Sequence, residues 1–185
     1  LSKGGLGGPV PIALTVPLLS LIIEPQQAIG LVLPLLIFAD MFALYFYWNE
    51  WDKRYIILMV IPGLIGVAFG TGVLKDIDPL TLKRVIGAFT LFALGFKIAS
   101  DRLASLQYQP RTWHGGLAAL ASGFGSALAN VGAPPFTAYM LLQPNMTPRR
   151  FVGTSTLFFA IMNITKVPGF VALGILDVNQ FLRIM

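Results

Sequence analysis

The chain has 185 residues, 56% of them hydrophobic and 11% charged, with a mean hydropathy of +0.76, a formal net charge of +5 and a pI of about 9.8. Soluble domains carry about 25% charged residues, and a soluble fold of this length could not hide so much apolar surface. Composition therefore excludes a soluble protein and predicts an integral membrane protein. The 13 Lys and Arg are scattered between apolar runs, and no basic run with interleaved aromatics is present, which argues against nucleic-acid binding. With no Cys and one His, disulfides, iron–sulfur clusters and the common thiolate or His metal sites are excluded, so no cofactor and no metal are expected.

Crossing a bilayer takes about 20 apolar residues. In chain order, residues 9–23 are apolar but short and proline-marked, as in a half-helix or re-entrant segment. Residues 28–48 fit a full span with one acid, Asp40, inside it. Residues 55–74 fit another, rich in glycine, which favours close helix packing. Residues 85–100 form a shorter span, extended to Leu80 if Lys83 and Arg84 snorkel to the interface. Residues 113–129 give the next, residues 131–142 are again short and proline-marked, and residues 151–176 give a long span interrupted at Pro168-Gly169. The predicted fold is all-α and polytopic, with about 6–8 membrane segments in one transmembrane domain over residues 1–185.

The polar breaks at 49–54, 75–79, 101–112 and 143–150 are too short for a soluble domain. Lys53, Arg54, Lys97, Arg102 and Arg111 outweigh Lys75, Lys83 and Arg84, which predicts the first set on the cytoplasmic side. The chain begins at Leu1 on an apolar, glycine-rich stretch without a basic leader, so no signal peptide is visible and the N-terminus is expected to be missing.

Sliding the chain by 125 residues lays Gly7-Gly8-Pro9 on Gly132-Ala133-Pro134 and Asp52 on Asp177. A slide of 123 lays Gly30 on Gly153 and Asp40 on Asn163. This predicts duplicated halves, about 1–100 and about 112–185, truncated at both ends, with the two Gly/Pro breaks in corresponding positions. Paired interruptions of this kind point to the central site of a transporter. Whether the halves are parallel or inverted depends on the number of spans per copy, which the sequence leaves open.

Backbone broken at membrane depth frees N–H groups and exposes a helix N-terminus. Pro9 and Pro134-Pro135 suit the first turns of half-helices, whose N-termini bind anions without a cationic side chain. Two such ends facing each other would make a small anion site. Gly7, Gly8, Gly132, Ala133 and Pro134 would shape its backbone, and Lys3, Asn130 and Thr154 would contact the anion. Asp40, Asn163 and Lys166 would line or gate the pathway, since ionisable residues inside a membrane are functional by default. Asp40 is the best proton carrier among them. Structural readings stand beside these: simple kinks, hydroxyls of Thr154–Thr156 bonded to the preceding turn, an Asp40–Lys166 ion pair, and a snorkelling Lys3. His114 and the three Trp suit a membrane surface. Catalytic motifs such as HExxH, GxSxG and GxxxxGK[ST] are absent, so no enzyme is expected.

The run LSKGGLGG, followed by VPLL, WD and PGLIGVAFG, resembles the first half of the sulfite exporter TauE/SafE family. The runs SGFGSALANVGAPP and FVGTSTLFFAIMNITKVPGFVALG resemble its second half. The resemblance implies about eight helices in duplicated halves and transport of sulfite, organosulfonates or related sulfur anions across the cytoplasmic (inner) membrane. It departs from the family pattern at Asn130, where a His is often found, at Ala133, where the second Gly stands, and at Pro9. The expected function is a secondary transporter for a small sulfur anion, with the lipid bilayer as surroundings, protons as a coupling ion and homo-oligomerisation left open. A passive anion channel and a non-transporting membrane scaffold are the alternatives.

Overall fold

A computed structural model of the protein describes residues 9–103, 111–144 and 146–176, and the side chains from residue 14 onward except at 93–94 and 96–103. Seven helices account for nearly all of it: α1 (Pro9–Leu19), α2 (Pro25–Phe46), α3 (Lys53–Asp76), α4 (Pro79–Leu103), α5 (Thr112–Ala129), α6 (Ala133–Leu141) and α7 (Pro148–Ala172). No strand occurs among the described residues.

Helix starts follow local chemistry. Asp52 accepts the Arg54 N–H at 3.0 Å before α3 and Thr147 accepts the Arg150 N–H at 3.3 Å before α7, as N-caps do. Asp78 accepts the Thr81 N–H at 3.0 Å before Pro79 opens α4. The Thr81 hydroxyl and N–H together hold the Asp78 carboxyl below its ordinary 3.8. Pro25, Pro134, Pro135 and Pro148 occupy first turns, where a missing N–H costs nothing.

By length and composition α2, α3 and α7 can each cross a membrane. Their outward faces bear this out. Ile57, Ile61, Ile65 and Phe69 form an exposed stripe along α3, and Leu31, Leu35, Phe38 and Phe42 one along α2. Water would penalise such stripes; hydrocarbon does not.

The inward face of α3 is glycine. A side chain at Gly66 would strike the Leu120 carbonyl of α5, and one at Gly123 of α5 would strike the Gly63 carbonyl of α3. The expected close packing is therefore made between α3 and α5, the most extensive helix pair of the fold. Two apolar cores flank this seam. Ile29, Leu33, Leu82, Ile86 and Phe170 centre one, and Met59, Phe136, Met140, Phe158 and Met162 the other.

The order short helix, turn, long helix occurs twice, as α1–α2 and as α6–α7. One expectation is corrected: α7 is not interrupted at Pro168-Gly169 but continues to Ala172. The proline removes one backbone hydrogen bond, that to the Ile164 carbonyl four residues back, while Gly169 keeps α7 packed on Thr71 of α3.

Candidate functional site

The segment Asn130-Val131-Gly132 breaks the path between α5 and α6 inside the protein. Asn130 ends α5 in the left-handed conformation, φ 53° and ψ 26°, which Asn tolerates better than most residues. Its N–H bonds the Ser126 carbonyl at 3.1 Å and the Val131 N–H bonds the Gly125 carbonyl at 3.2 Å. Both bonds close the helix end as C-caps do. The chain then turns at Gly132, where a side chain would run into the Ser122 carbonyl at 2.5 Å and the Ser126 Cβ at 3.0 Å. Only glycine lets α6 start this close to α5. Asn130, Val131 and Gly132 are buried. Among the described residues, the N–H groups of Gly132 and Ala133 at the start of α6 have no hydrogen-bond acceptor.

Into this break reaches Lys166 of α7, which is 0% exposed. Its Nζ donates to Asn130 Oδ1 at 2.7 Å, and to the Ser126 carbonyl and Ser126 Oγ at 3.1 Å each. Asn130 Nδ2 donates in turn to the Ile29 carbonyl of α2 at 3.3 Å. One lysine thus ties α7 to the end of α5, and one asparagine ties that end to α2. Every hydrogen-bond acceptor of the ammonium is a neutral oxygen, and the centre of the Phe170 ring lies 6.0 Å from it. The position also places a cation at a helix C-terminus, where the helix dipole favours it. Ser122, one turn before Ser126 on the same stripe of α5, is wholly buried and its Oγ has no partner.

Asp40 and Asn163 meet elsewhere on the α2–α7 contact, where Asn163 Nδ2 donates to Asp40 Oδ2 at 2.7 Å. Asp40 and Lys166 each take a neutral partner in place of the ion pair considered from the sequence. They remain close enough to feel each other's charge.

Of the residues singled out from the sequence, the structure brings together Asn130, Gly132, Ala133, Pro134 and Lys166 around the break, with Asn163 one turn from Lys166 along α7. It does not bring Thr154 there. Twelve residues of α7 separate Thr154 from Lys166, about 18 Å at 1.5 Å per residue. Thr154 Oγ1 instead accepts the Asp52 N–H at 2.9 Å. Lys3, Gly7 and Gly8 lie outside the described residues, as does Asp177. Sequence reading missed Ser122 and Ser126. The signal was there: Ser122, Ser126 and Asn130 recur every four residues on an otherwise apolar helix, which puts them on one face. No group of acids and His able to hold a metal occurs among the described residues.

Helices long and apolar enough to cross a membrane, with apolar stripes on their outward faces, and a short helix opening on a buried cation fit a membrane protein with an internal polar cluster. The chain belongs to the sulfite exporter TauE/SafE family, whose pattern it matches over residues 3–185. It is accordingly a membrane transporter of the kind that carries small sulfur anions. No curated protein and no solved structure matches it significantly.

Proposed function

We propose that the chain is a secondary transporter for a small oxyanion of sulfur, sulfite or an organosulfonate, and that the anion binds at the α5–α6 break. The observation that carries this reading is Lys166: an ammonium wholly buried at the break whose hydrogen-bond acceptors are all neutral oxygens. A charge at membrane depth is costly and finds a role or a partner, and an anion supplies the missing negative charge. The free N–H groups of Gly132 and Ala133 and the amide of Asn130 add donors. The nine-residue α6 presents its N-terminus to the same place. An oxyanion with several acceptor oxygens fits this set better than a halide, because donors converge from α5, α6 and α7.

In this reading Lys3, Gly7 and Gly8 furnish the corresponding break of the first half, and residues 1–185 form one domain of two related halves. Asp40, hydrogen-bonded by Asn163, lines the pathway and carries the coupling proton. The site needs no metal and performs no covalent chemistry. The protein works as a multi-pass transporter of the cytoplasmic membrane, alone or as a homo-oligomer.

The test uses the full-length protein in sealed liposomes preloaded with unlabelled sulfite, following uptake of trace labelled sulfite. Thiosulfate, sulfate and a sulfonate serve as competitors. Saturable counterflow, blocked by a sulfur anion and lost in Lys166→Met and Asn130→Leu, is the expected result. Asn130→Gly, which keeps the backbone relaxed, guards against simple misfolding and should lose counterflow as well. Flux linear in sulfite without counterflow would replace the carrier by a channel. Folded, inserted protein with no flux would favour a scaffold. Undiminished sulfite binding in all three variants would remove the site from the break.

A further inference from the structure

α2 and α7 run antiparallel, and their contacts repeat when the two helices are exchanged. At one end Gly30 of α2 packs its Cα against the backbone carbonyl of Ile175, just past α7. At the other end Gly153 of α7 packs its Cα against the backbone carbonyl of Glu50, just past α2. Between these ends Asn163 meets Asp40 at 2.7 Å. The offsets are those of the internal repeat: 123 positions for Gly30 and Gly153 and for Asp40 and Asn163, 125 for Glu50 and Ile175. Even the turns that carry the two carbonyls correspond. Asn49 at φ 62° and Gly174 at φ 69° are both left-handed.

A contact that maps onto a second contact when two elements are exchanged is isologous, and a contact between equivalent residues lies on the two-fold axis itself. The Asp40–Asn163 hydrogen bond therefore marks such an axis, perpendicular to two antiparallel helices. Both helices can span a bilayer, so the axis lies in the membrane plane and relates halves of inverted topology. The two glycine–carbonyl contacts then sit at opposite membrane faces.

Among the described residues, polar fastenings are seen at the Glu50 end. At the Glu50 end the Asp52 N–H donates to Thr154 Oγ1 at 2.9 Å, with Thr154 fully buried, and Arg149 Nε stands 3.0 Å from Glu50 Oε1. At the Ile175 end a polar cavity of about 340 Å³ opens among Glu24, Gln27, Lys75, Gly174 and Ile175. We propose that the turn Glu50–Asp52, seated on the first two turns of α7, is the closed gate of one membrane face, and that the Gly30–Ile175 contact is its inverted counterpart at the other. A carbonyl against a glycine Cα, one hydrogen bond and one exposed ion pair are each weak, so such a gate holds without being hard to open. Both glycine–carbonyl contacts are made in this structure; rocking about Asp40–Asn163 releases one of them while the other holds.

The chain has no cysteine, so introduced thiols report without background. This inference rests on the transport reading for its effect on flux, and labelling separates the two. In proteoliposomes, Glu50→Cys with Arg149→Cys is expected to be bridged by a bis-methanethiosulfonate reagent long enough to replace the two side chains of the ion pair, and the cross-link to abolish sulfite counterflow until a reductant is added. In a second variant, Thr154→Cys reports the gate directly. Its labelling by a membrane-impermeant thiol reagent is expected to rise about tenfold when Glu50→Ala and Arg149→Ala unfasten the turn, as for a loop whose opening limits access. Cross-linked protein that transports at the uncross-linked rate would overturn the gate. So would Thr154→Cys labelling that is unchanged by unfastening. Labelling that responds as expected in a protein that moves no sulfite would leave the gate standing and overturn the transport reading.

Discussion

Asn130 does three things at once, and they can be separated. Its backbone ends α5 in the left-handed region, its carbonyl oxygen receives Lys166, and its amide nitrogen reaches the Ile29 carbonyl. A left-handed backbone costs an ordinary L-residue about 1–2 kcal/mol, a penalty glycine avoids. A buried donor that loses its acceptor costs about 1–3 kcal/mol. Asn130→Gly suffers only the second loss; Asn130→Ala suffers both. Unfolding in mild detergent should therefore place Asn130→Ala about 1–2 kcal/mol below Asn130→Gly, the strain alone. Equal stabilities would mean that the backbone relaxes out of the left-handed region, and that Asn130 is present for its side chain only.

Asn130 and Lys166 stand out in the sequence, because an amide beside a Gly/Pro break and a charge within an apolar run are both anomalies. Their bond to each other does not. The two residues are 36 positions apart, and nothing local says which of several intramembrane polar residues a lysine will reach. Thr154 shows the same limit from the other side: its type suited an anion site, and packing carried it to the Asp52 turn instead.

Among the elements, the α3–α5 pair depends on what glycine lacks. Gly66 of α3 and Gly123 of α5 bring the two backbones together where a Cβ would collide with the Leu120 and Gly63 carbonyls, while the bare side of Gly63 faces Phe158 and Met162 of α7; this is the small-residue packing that membrane helices favour in the absence of a hydrophobic drive between them. Gly66→Ala forces a methyl onto the Leu120 carbonyl, and overpacking of this kind costs about 1–3 kcal/mol. Gly72, on the same helix, faces open space. There Gly72→Ala should stabilise the helix by about 0.5–1 kcal/mol, the ordinary gain of alanine over glycine. Opposite signs for two identical substitutions six residues apart, read from thermal unfolding in detergent, check the seam. A loss at both positions would assign the effect to glycine flexibility instead.

The glycines of α3 stood out in the sequence as a packing face; the partner did not, since glycine seams look alike wherever they pack. Prolines misled in one place. Pro134-Pro135 opens a helix, as its position after Gly132 suggested, whereas Pro168 rides within α7. The difference is capping: a left-handed Asn130 and Gly132 precede the first pair, and nothing ends the helix before Pro168.

For the whole molecule, the solvent decides what the surface means. The exposed stripe Ile57, Ile61, Ile65, Phe69 is stable only against hydrocarbon. Ile65→Lys puts a charge near the middle of α3, which costs about 2.5–3.5 kcal/mol of membrane insertion. The same change on a water-facing surface is nearly neutral. A fall in the membrane-integrated fraction on expression is the expected outcome, and unchanged integration would move that face of α3 away from lipid.

Some properties of this protein follow from the sequence by itself: that it lies in a membrane, that α2, α3 and α7 are long and apolar enough to cross it, and that the backbone breaks at Gly132. Hydropathy, helix starts and proline effects are short-range, acting over one turn or one span, and the chain states them in order. Family membership was legible for the same reason, through motifs contiguous in sequence. Tertiary structure alone decided that Lys166 closes on the α5 end, that Thr154 belongs to the Asp52 turn, and that α2 and α7 lie antiparallel with Asp40 against Asn163. Each joins residues 36 to 123 positions apart. In an apolar medium several pairings of similar helices are close in energy, and the choice falls to shape: which glycines admit a backbone, and which buried donor an acceptor can reach.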